Sequence, residues 1–380
     1  MSMFKLAKGI SCHAWSPDRK QIAVCKNDEK VYIYSNADAS DVKQWKLEHE
    51  LDGHEKLVSA IDWSNVHNKI VTCSHDRNAF VWTLTGKEWK PSLSILRINR
   101  AALDVKWSPD GKKFAVASGS KVVPVCHYES ANDWWISKMI KKHKSTVTSV
   151  SWHPNSQLLA TSSTDFKCRI FSTFIDGLDS ATDSPLGDTS KTPFGELYAE
   201  FDASQGWVED VAFSPSGDRL CFVGHDSSIS FVSLANGKPM CQTIKCKDLP
   251  HEVVLFLSDD VVVAGGHSFN PEIFQFGKGN AWSSLGFVDQ KDSGGSIAKK
   301  AVSNFSAAKS MWANKTTRGT DSNEGSDDLW TQHHNSITDI KAYSDTQNAK
   351  KIDSFSTSGL DGRIVIWKPS NLKKVSGLSL

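Results

Sequence analysis

Histidine, a hydroxyl side chain and aspartate recur in the same chain order three times: His54, Thr72 and Asp76; His143, Thr161 and Asp165; His334, Thr357 and Asp361. Brought together once, such a set would supply a base, a nucleophile and an orienting acid, the composition of an acyl-transfer triad. Here each set is followed, six residues after its aspartate, by a large apolar side chain: Trp82, Phe171 or Trp367. Repetition at a regular spacing makes the set a device that ties repeated elements together in the interior. Chemistry needs one copy.

Other reactive patterns are missing. There is no GxSxG, HExxH or GxxxxGK[ST]. "GDTSKT" from 187 shares only the end of the last, and His49 and His54 are too far apart for the second. The acids of "SDD" (258 to 260) and "GSDD" (325 to 328) fall in turn-like surroundings. The 13 histidines show no ligand spacing apart from adjacent His333 and His334. We therefore expect no catalytic residue, no metal site, no cofactor and no enzyme activity. The cysteines (12, 25, 73, 126, 168, 221, 241 and 246) are scattered, mostly in apolar runs and without CxxC, as buried reduced thiols would be.

Charge is balanced, 44 basic against 43 acidic residues, so no global field draws the chain to nucleic acid or lipid. No apolar run approaches the roughly 18 residues of a membrane span. The start, "MSMFKLAKGI", lacks a secretory h-region, which predicts a cytoplasmic protein. On that basis the glycosylation-like triplets at Asn304 and Asn314 carry no weight. Locally, "RINR" (Arg97 and Arg100) and "KKHK" (Lys141, Lys142 and Lys144) are candidate contacts for an acidic partner surface.

The elements that must hold the recurring sets are repeats. Seven units line up around an aromatic-Ser-Pro-like turn. They start at 10 ("ISCHAWSPDRKQIAVCKNDEKVYIYS"), 57, 101, 146, 207, 251 and 336, the sixth being degenerate. Trp15, Trp63, Trp107 and Trp152 are 48, 44 and 45 residues apart, the period of a four-stranded propeller blade. In each unit an alternating strand ends in a turn where Pro presets φ and Gly accepts a positive φ. A largely apolar second strand, an Asp-bearing turn and a third strand follow. A more polar fourth strand reads "WKLEHEL", "LSILRI", "WWISKMI" and "ELYAEF" in the first four units.

These features resemble the WD-repeat family, whose blades carry a hydrogen-bonded His, Ser/Thr, Asp and Trp. The resemblance implies that His54, Thr72, Asp76 and Trp82 form one tetrad, and His334, Thr357, Asp361 and Trp367 another. The set at His143 has Phe171 in place of Trp. The expected fold is all-β: one seven-bladed propeller over residues 1 to 380, with one inserted amphipathic helix between blades 6 and 7. Closure would come from residues 2 to 9 pairing with the last blade, which removes two exposed sheet edges.

Two stretches break the period. Residues 176 to 195 are polar and aperiodic and predict a flexible loop in blade 4. Residues 289 to 332 differ, because "GGSIAKKAVSNFSAAKSMWANK" contains a helical stripe: Ile297, Ala301, Phe305, Ala308, Met311 and Trp312. A helix over about 296 to 312, capped by Ser296 and flanked by polar tethers, has three readings. It packs back on the propeller, lies on a membrane surface, or enters a partner's groove through its apolar anchors. Alanine-rich anchors argue against a membrane. Burial of Phe305, Met311 and Trp312 would contribute roughly 1.5 to 3 kcal/mol each before ordering costs.

Beyond the repeat, "GHEKLVSAIDWS", "IVTCSHDRNAFVW", "RAALDVKWSPDGKKFAVASGSKVV" and "WWISKMIKKHKSTVTSVSWHPNSQLLATSSTDFKCRIFS" resemble a narrower family. It is that of the WD-repeat subunits (subunit 1, p40/p41-type) of the actin-related protein 2/3 complex, and the similarity spans nearly all of the chain. It implies a non-catalytic structural role in the nucleation of branched actin filaments at the actin cytoskeleton, cortical patches included. Its partners would be the other subunits of that complex, the actin filament and nucleation-promoting factors, the latter two through the insertion helix. The alternative from another class is a generic WD-repeat adaptor that binds a peptide on the top face of the propeller.

Overall fold

A computed structural model describes residues 2–234, 239–277, 279–290, 329, 331–344, 351–368, 372, 375 and 378. The predicted insertion helix, with Ile297, Ala301, Phe305, Ala308, Met311 and Trp312, lies outside them.

The described residues form seven four-stranded antiparallel sheets and one two-stranded hairpin. Blades 1 to 6 span 12–51, 58–94, 102–140, 147–201, 208–245 and 251–287. Blade 7 takes three strands from 337–367 and its fourth from the N-terminus. The first strand of each blade packs against the first strands of its two neighbours, the last beside the first, so the ring is closed. This is a seven-bladed β-propeller with the first strands at its centre.

The sequence pattern dictates the packing. In a strand, successive side chains leave on opposite faces, and here each face meets another blade. Blade 2 shows the split. Ile70 and Trp82 join blade 1's Ala23 and Ile33 in one apolar cluster, while Val71 and Val81 join blade 3's Phe114 and Val116 in another. Seven such clusters occupy the seven seams. The second strands therefore read as unbroken apolar runs, since neither of their faces meets water. Six of the eight cysteines are buried and all are free thiols.

Closure is made by Ser2–Lys5, which pairs antiparallel with Arg363–Trp367 in the register Met3 to Val365 and Phe4 to Ile364. Phe4 is 2% exposed and its ring centroid lies 4.5 Å from that of Trp45. The chain then crosses Gly362 (φ +72), whose carbonyl accepts the N–H of Leu6 at 2.9 Å. A Cβ at Gly362 would sit 1.8 Å from the Ala7 carbonyl oxygen, so only glycine admits the closing strand.

Two expectations change. The fourth strand of blade 2 is Glu88–Ser94, not the later "LSILRI". Gly86, at φ +66, reverses the chain directly after Thr85, and Pro91 is tolerated because this outer strand needs no donor on its far side. The stretch 176–195, expected as a flexible loop, carries a short hairpin (Asp183–Ser184 with Gly187–Asp188) and a single 3-10 turn, Thr189–Lys191. It is strapped to the ring. Lys113, wholly buried on blade 3, bonds Asp179 Oδ2 at 2.5 Å and the Thr173 carbonyl at 3.1 Å. Gln157 of blade 4 donates to the Ser180 carbonyl at 2.6 Å and accepts from Thr182 and Thr189.

Candidate functional site

In blade 2 the recurring set converges. His54 Nδ1 stands 2.7 Å from Asp76 Oδ2, and its Nε2 lies 2.8 Å from Thr72 Oγ1. Trp82 Nε1 donates to the same Thr72 oxygen at 3.0 Å. All four are buried, and Asp76 also accepts the backbone N–H groups of Glu55 and Asn78. Burial works against the Asp76 carboxylate, but the His54 ring and these donors hold its pKa below the ordinary value. The Thr72 hydroxyl is shut between two ring nitrogens at a blade interior, with no approach for a substrate. The cluster ties the segment before the first strand to the second and third strands.

Blade 7 repeats this with a correction. His333, not His334, occupies the tetrad: its Nε2 is 2.7 Å from Thr357 Oγ1 and its Nδ1 is 3.2 Å from Asp361. Trp367 Nε1 donates to Thr357 at 2.9 Å. His334 instead gives its backbone N–H to Asp361 at 2.8 Å, while its ring meets Arg363. The two rings are chemically identical, and only the path of the chain before the strand decides which one points inward. Blade 4 keeps half the set. His143 Nε2 lies 2.9 Å from Thr161 Oγ1, but Asp165 turns to Arg169 at 2.9 Å. Among the described residues His143 Nδ1 has no partner, and burial with the nearby Arg169 charge drives the His143 pKa down to about 4.

The central channel carries acids that sequence reasoning missed. Asp62, Asp104, Asp210 and Asp339 each accept the backbone N–H of the next blade's first strand: Trp107 at 2.7 Å, Val150 at 3.1 Å, Val254 at 2.8 Å and His13 at 3.1 Å. Ser151 does the same for Phe213. Lys106 and Lys341 sit among them, 3.5 Å from Asp104 and 3.4 Å from Asp339. Burial opposes the Lys106 charge, yet Asp104, Asp339 and Asp62 together hold its pKa well above the ordinary value. Burial pushes Asp210 up to about 6. The cavity between these groups measures about 160 Å³. With their oxygens engaged in neighbouring backbone, these carboxylates serve as latches between blades. "LDV", "EDV" and "TDI" put Asp at one place in three first strands, a signal that could have revealed them.

The basic candidates share a face. Arg97 and Arg100 lie in the connection from blade 2 to blade 3, and Lys141, Lys142 and Lys144 in that from blade 3 to blade 4; all five are exposed. Ser120 Oγ accepts the backbone N–H groups of Asn99 and Arg100, and Lys142 stands 3.9 Å from Glu196. The insertion leaves from the equivalent connection between blades 6 and 7. Its two roots meet, because Gln332 N–H donates to Asp289 Oδ2 at 2.8 Å.

Seven blades, two of them with a complete His–Thr–Asp–Trp cluster, define a WD-repeat β-propeller, and the WD domain, G-beta repeat model matches residues 4–35, 45–83, 135–172 and 195–233. Similarity extends well beyond the repeat. The chain is 45% identical over 378 residues to Actin-related protein 2/3 complex subunit 1B of Arabidopsis thaliana, covering 99% of this chain and 98% of the relative. It is 42% identical over 381 residues to subunit 1A-B of Xenopus laevis, with 99% and 98% covered. With subunit 1 of Saccharomyces cerevisiae it shares 36% over 386 residues, with 97% of each covered. The chain belongs to the actin-related protein 2/3 complex subunit 1 family.

Proposed function

We propose that this protein is a non-catalytic structural subunit of the actin-related protein 2/3 complex, acting in the cytoplasm at the actin cytoskeleton, cortical patches included, in the nucleation of branched filaments. The observation that carries this reading is similarity over nearly the full length of both chains. A shared repeat alone would match many propellers, whereas here the segments between the strands align as well.

The closed ring supports a scaffold role, since its latches and seams leave little freedom between blades. Other subunits of the complex would dock on its faces, with Arg97, Arg100, Lys141, Lys142 and Lys144 offered to an acidic partner surface. Ile297, Ala301, Phe305, Ala308, Met311 and Trp312 would contact actin or a nucleation-promoting factor. Insertion roots that meet at one point suit a segment projected from the ring.

The test compares activated actin assembly by complexes purified with the native chain and with a Phe305→Ala/Trp312→Ala variant. Both complexes should assemble, and the variant should lose about tenfold or more of its activated nucleation, as removal of two buried anchors implies. Normal nucleation by the variant would remove the insertion contact and leave the scaffold role standing. Failure of actin-related subunits to co-purify would remove the function itself.

A further inference from the structure

Cys246, His251 and Glu272 come together at the seam of blades 5 and 6, each offering a ligand atom within 4.8 Å of the other two. Cys246 directly follows the fourth strand of blade 5, Met240–Lys245. His251 opens the first strand of blade 6, and Glu272 opens its third. Topology therefore brings three separate chain segments to one point on the face that carries the fourth-to-first connections. His251 is 1% exposed and Glu272 8%, while Cys246 is half-buried and gives the point an opening.

We propose that these three side chains form a zinc-class metal site, with a thiolate, an imidazole and a carboxylate as protein ligands and the fourth position open to water or a partner's side chain. Three donors of mixed sulfur, nitrogen and oxygen type are what an open tetrahedral Zn²⁺ site uses, with bonds of about 2.0 to 2.3 Å. Tetrahedral ligands with such bonds stand about 3.3 to 3.8 Å apart, so donor atoms within 4.8 Å of one another reach a common metal by small side-chain shifts.

Two further observations point to a cation. Among the described residues, buried His251 Nδ1 has no hydrogen-bond partner, while Nε2 is 3.0 Å from Glu272 Oε2, so the ring is only half satisfied. Glu272 is in turn held by the Ser284 hydroxyl on the neighbouring strand, which fixes the carboxylate as an outer-shell partner would. On binding, the Cys246 thiol would release its proton to solvent and its sulfur would take the metal in its place.

The full-length protein, exposed to Zn²⁺ and freed of excess by gel filtration, should retain about one zinc per chain by elemental analysis. Co²⁺ in place of zinc should give thiolate-to-metal charge-transfer absorption. Cys246→Ser is conservative and half-exposed. It should abolish that absorption and lower zinc affinity at least tenfold while the melting profile without metal stays unchanged. Glu272→Gln should weaken binding but keep the thiolate signal. Absence of retained zinc in folded native protein would overturn the site, as would retention and charge-transfer absorption that Cys246→Ser leaves intact.

Discussion

At the residue scale, the hydroxyl of each tetrad serves two ring nitrogens at once. Thr72→Val would leave His54 Nε2 and Trp82 Nε1 buried and unpaired, at a cost of about 1 to 3 kcal/mol for each stranded group. Urea titration should show a loss of at least about 2 kcal/mol. The two adjacent histidines give a sharper comparison. His333→Ala should destabilise by a similar amount, whereas His334→Ala, on a half-exposed ring, should change stability by about 0.5 kcal/mol or less. Equal effects would contradict the placement described here. The tetrads were legible in the sequence because their residue types recur at blade spacing. The choice of His333 over His334 was not, because adjacent residues of one type differ only in the path the chain takes. Titration adds a pH signature. Burial holds His13 and His143 down to about 4, against an ordinary value of 6.5. The unfolded chain therefore takes up protons between about pH 6.5 and pH 4 that the folded chain refuses. Stability is fully present above that window and falls through it, by up to roughly 3 kcal/mol for each ring. Denaturation midpoints measured across this range should drop, and His143→Gln should reduce the drop.

At the element scale, closure and strapping carry the risk. Gly362→Ala sets a methyl group against the Ala7 carbonyl, so the closing strand must detach or the turn must distort. Loss of the strand would leave Arg363–Trp367 as an open apolar edge, a template for association. Light scattering after gel filtration should show oligomers in this variant that the native chain lacks. The Lys113–Asp179 pair is a second test. Asp179→Ala leaves a buried ammonium without its partner and should cost about 3 to 5 kcal/mol. Lys113→Met combined with Asp179→Leu should recover most of that loss. The strands were legible because Ser-Pro-Asp-Gly turns and apolar alternation recur. The strap over 176–195 was hidden, since Lys113 and Asp179 are 66 residues apart and nothing local marks either as buried. The fourth strand of blade 2 was misplaced because "LSILRI" is more strand-like in composition than the Pro-containing segment that Gly86 turns back onto the sheet.

At the scale of the whole molecule, the ring distributes its stability over seven equivalent seams. Each seam combines an apolar cluster with polar contacts at the channel, and Asp62, Asp104, Asp210 and Asp339 join neighbours in one rotational direction. Repeats make this architecture readable in the sequence, while the latches are obscured because their partners lie one blade further along. Rigidity of this kind suits a subunit that holds several partners in fixed positions. The most direct test is to tag the protein at its native level, purify it under mild salt and determine the composition and stoichiometry of what accompanies it by mass spectrometry. Equimolar actin-related subunits together with the remaining members of the complex are the predicted result. A chain that purifies alone, or with a changing set of unrelated ligands, would contradict the account.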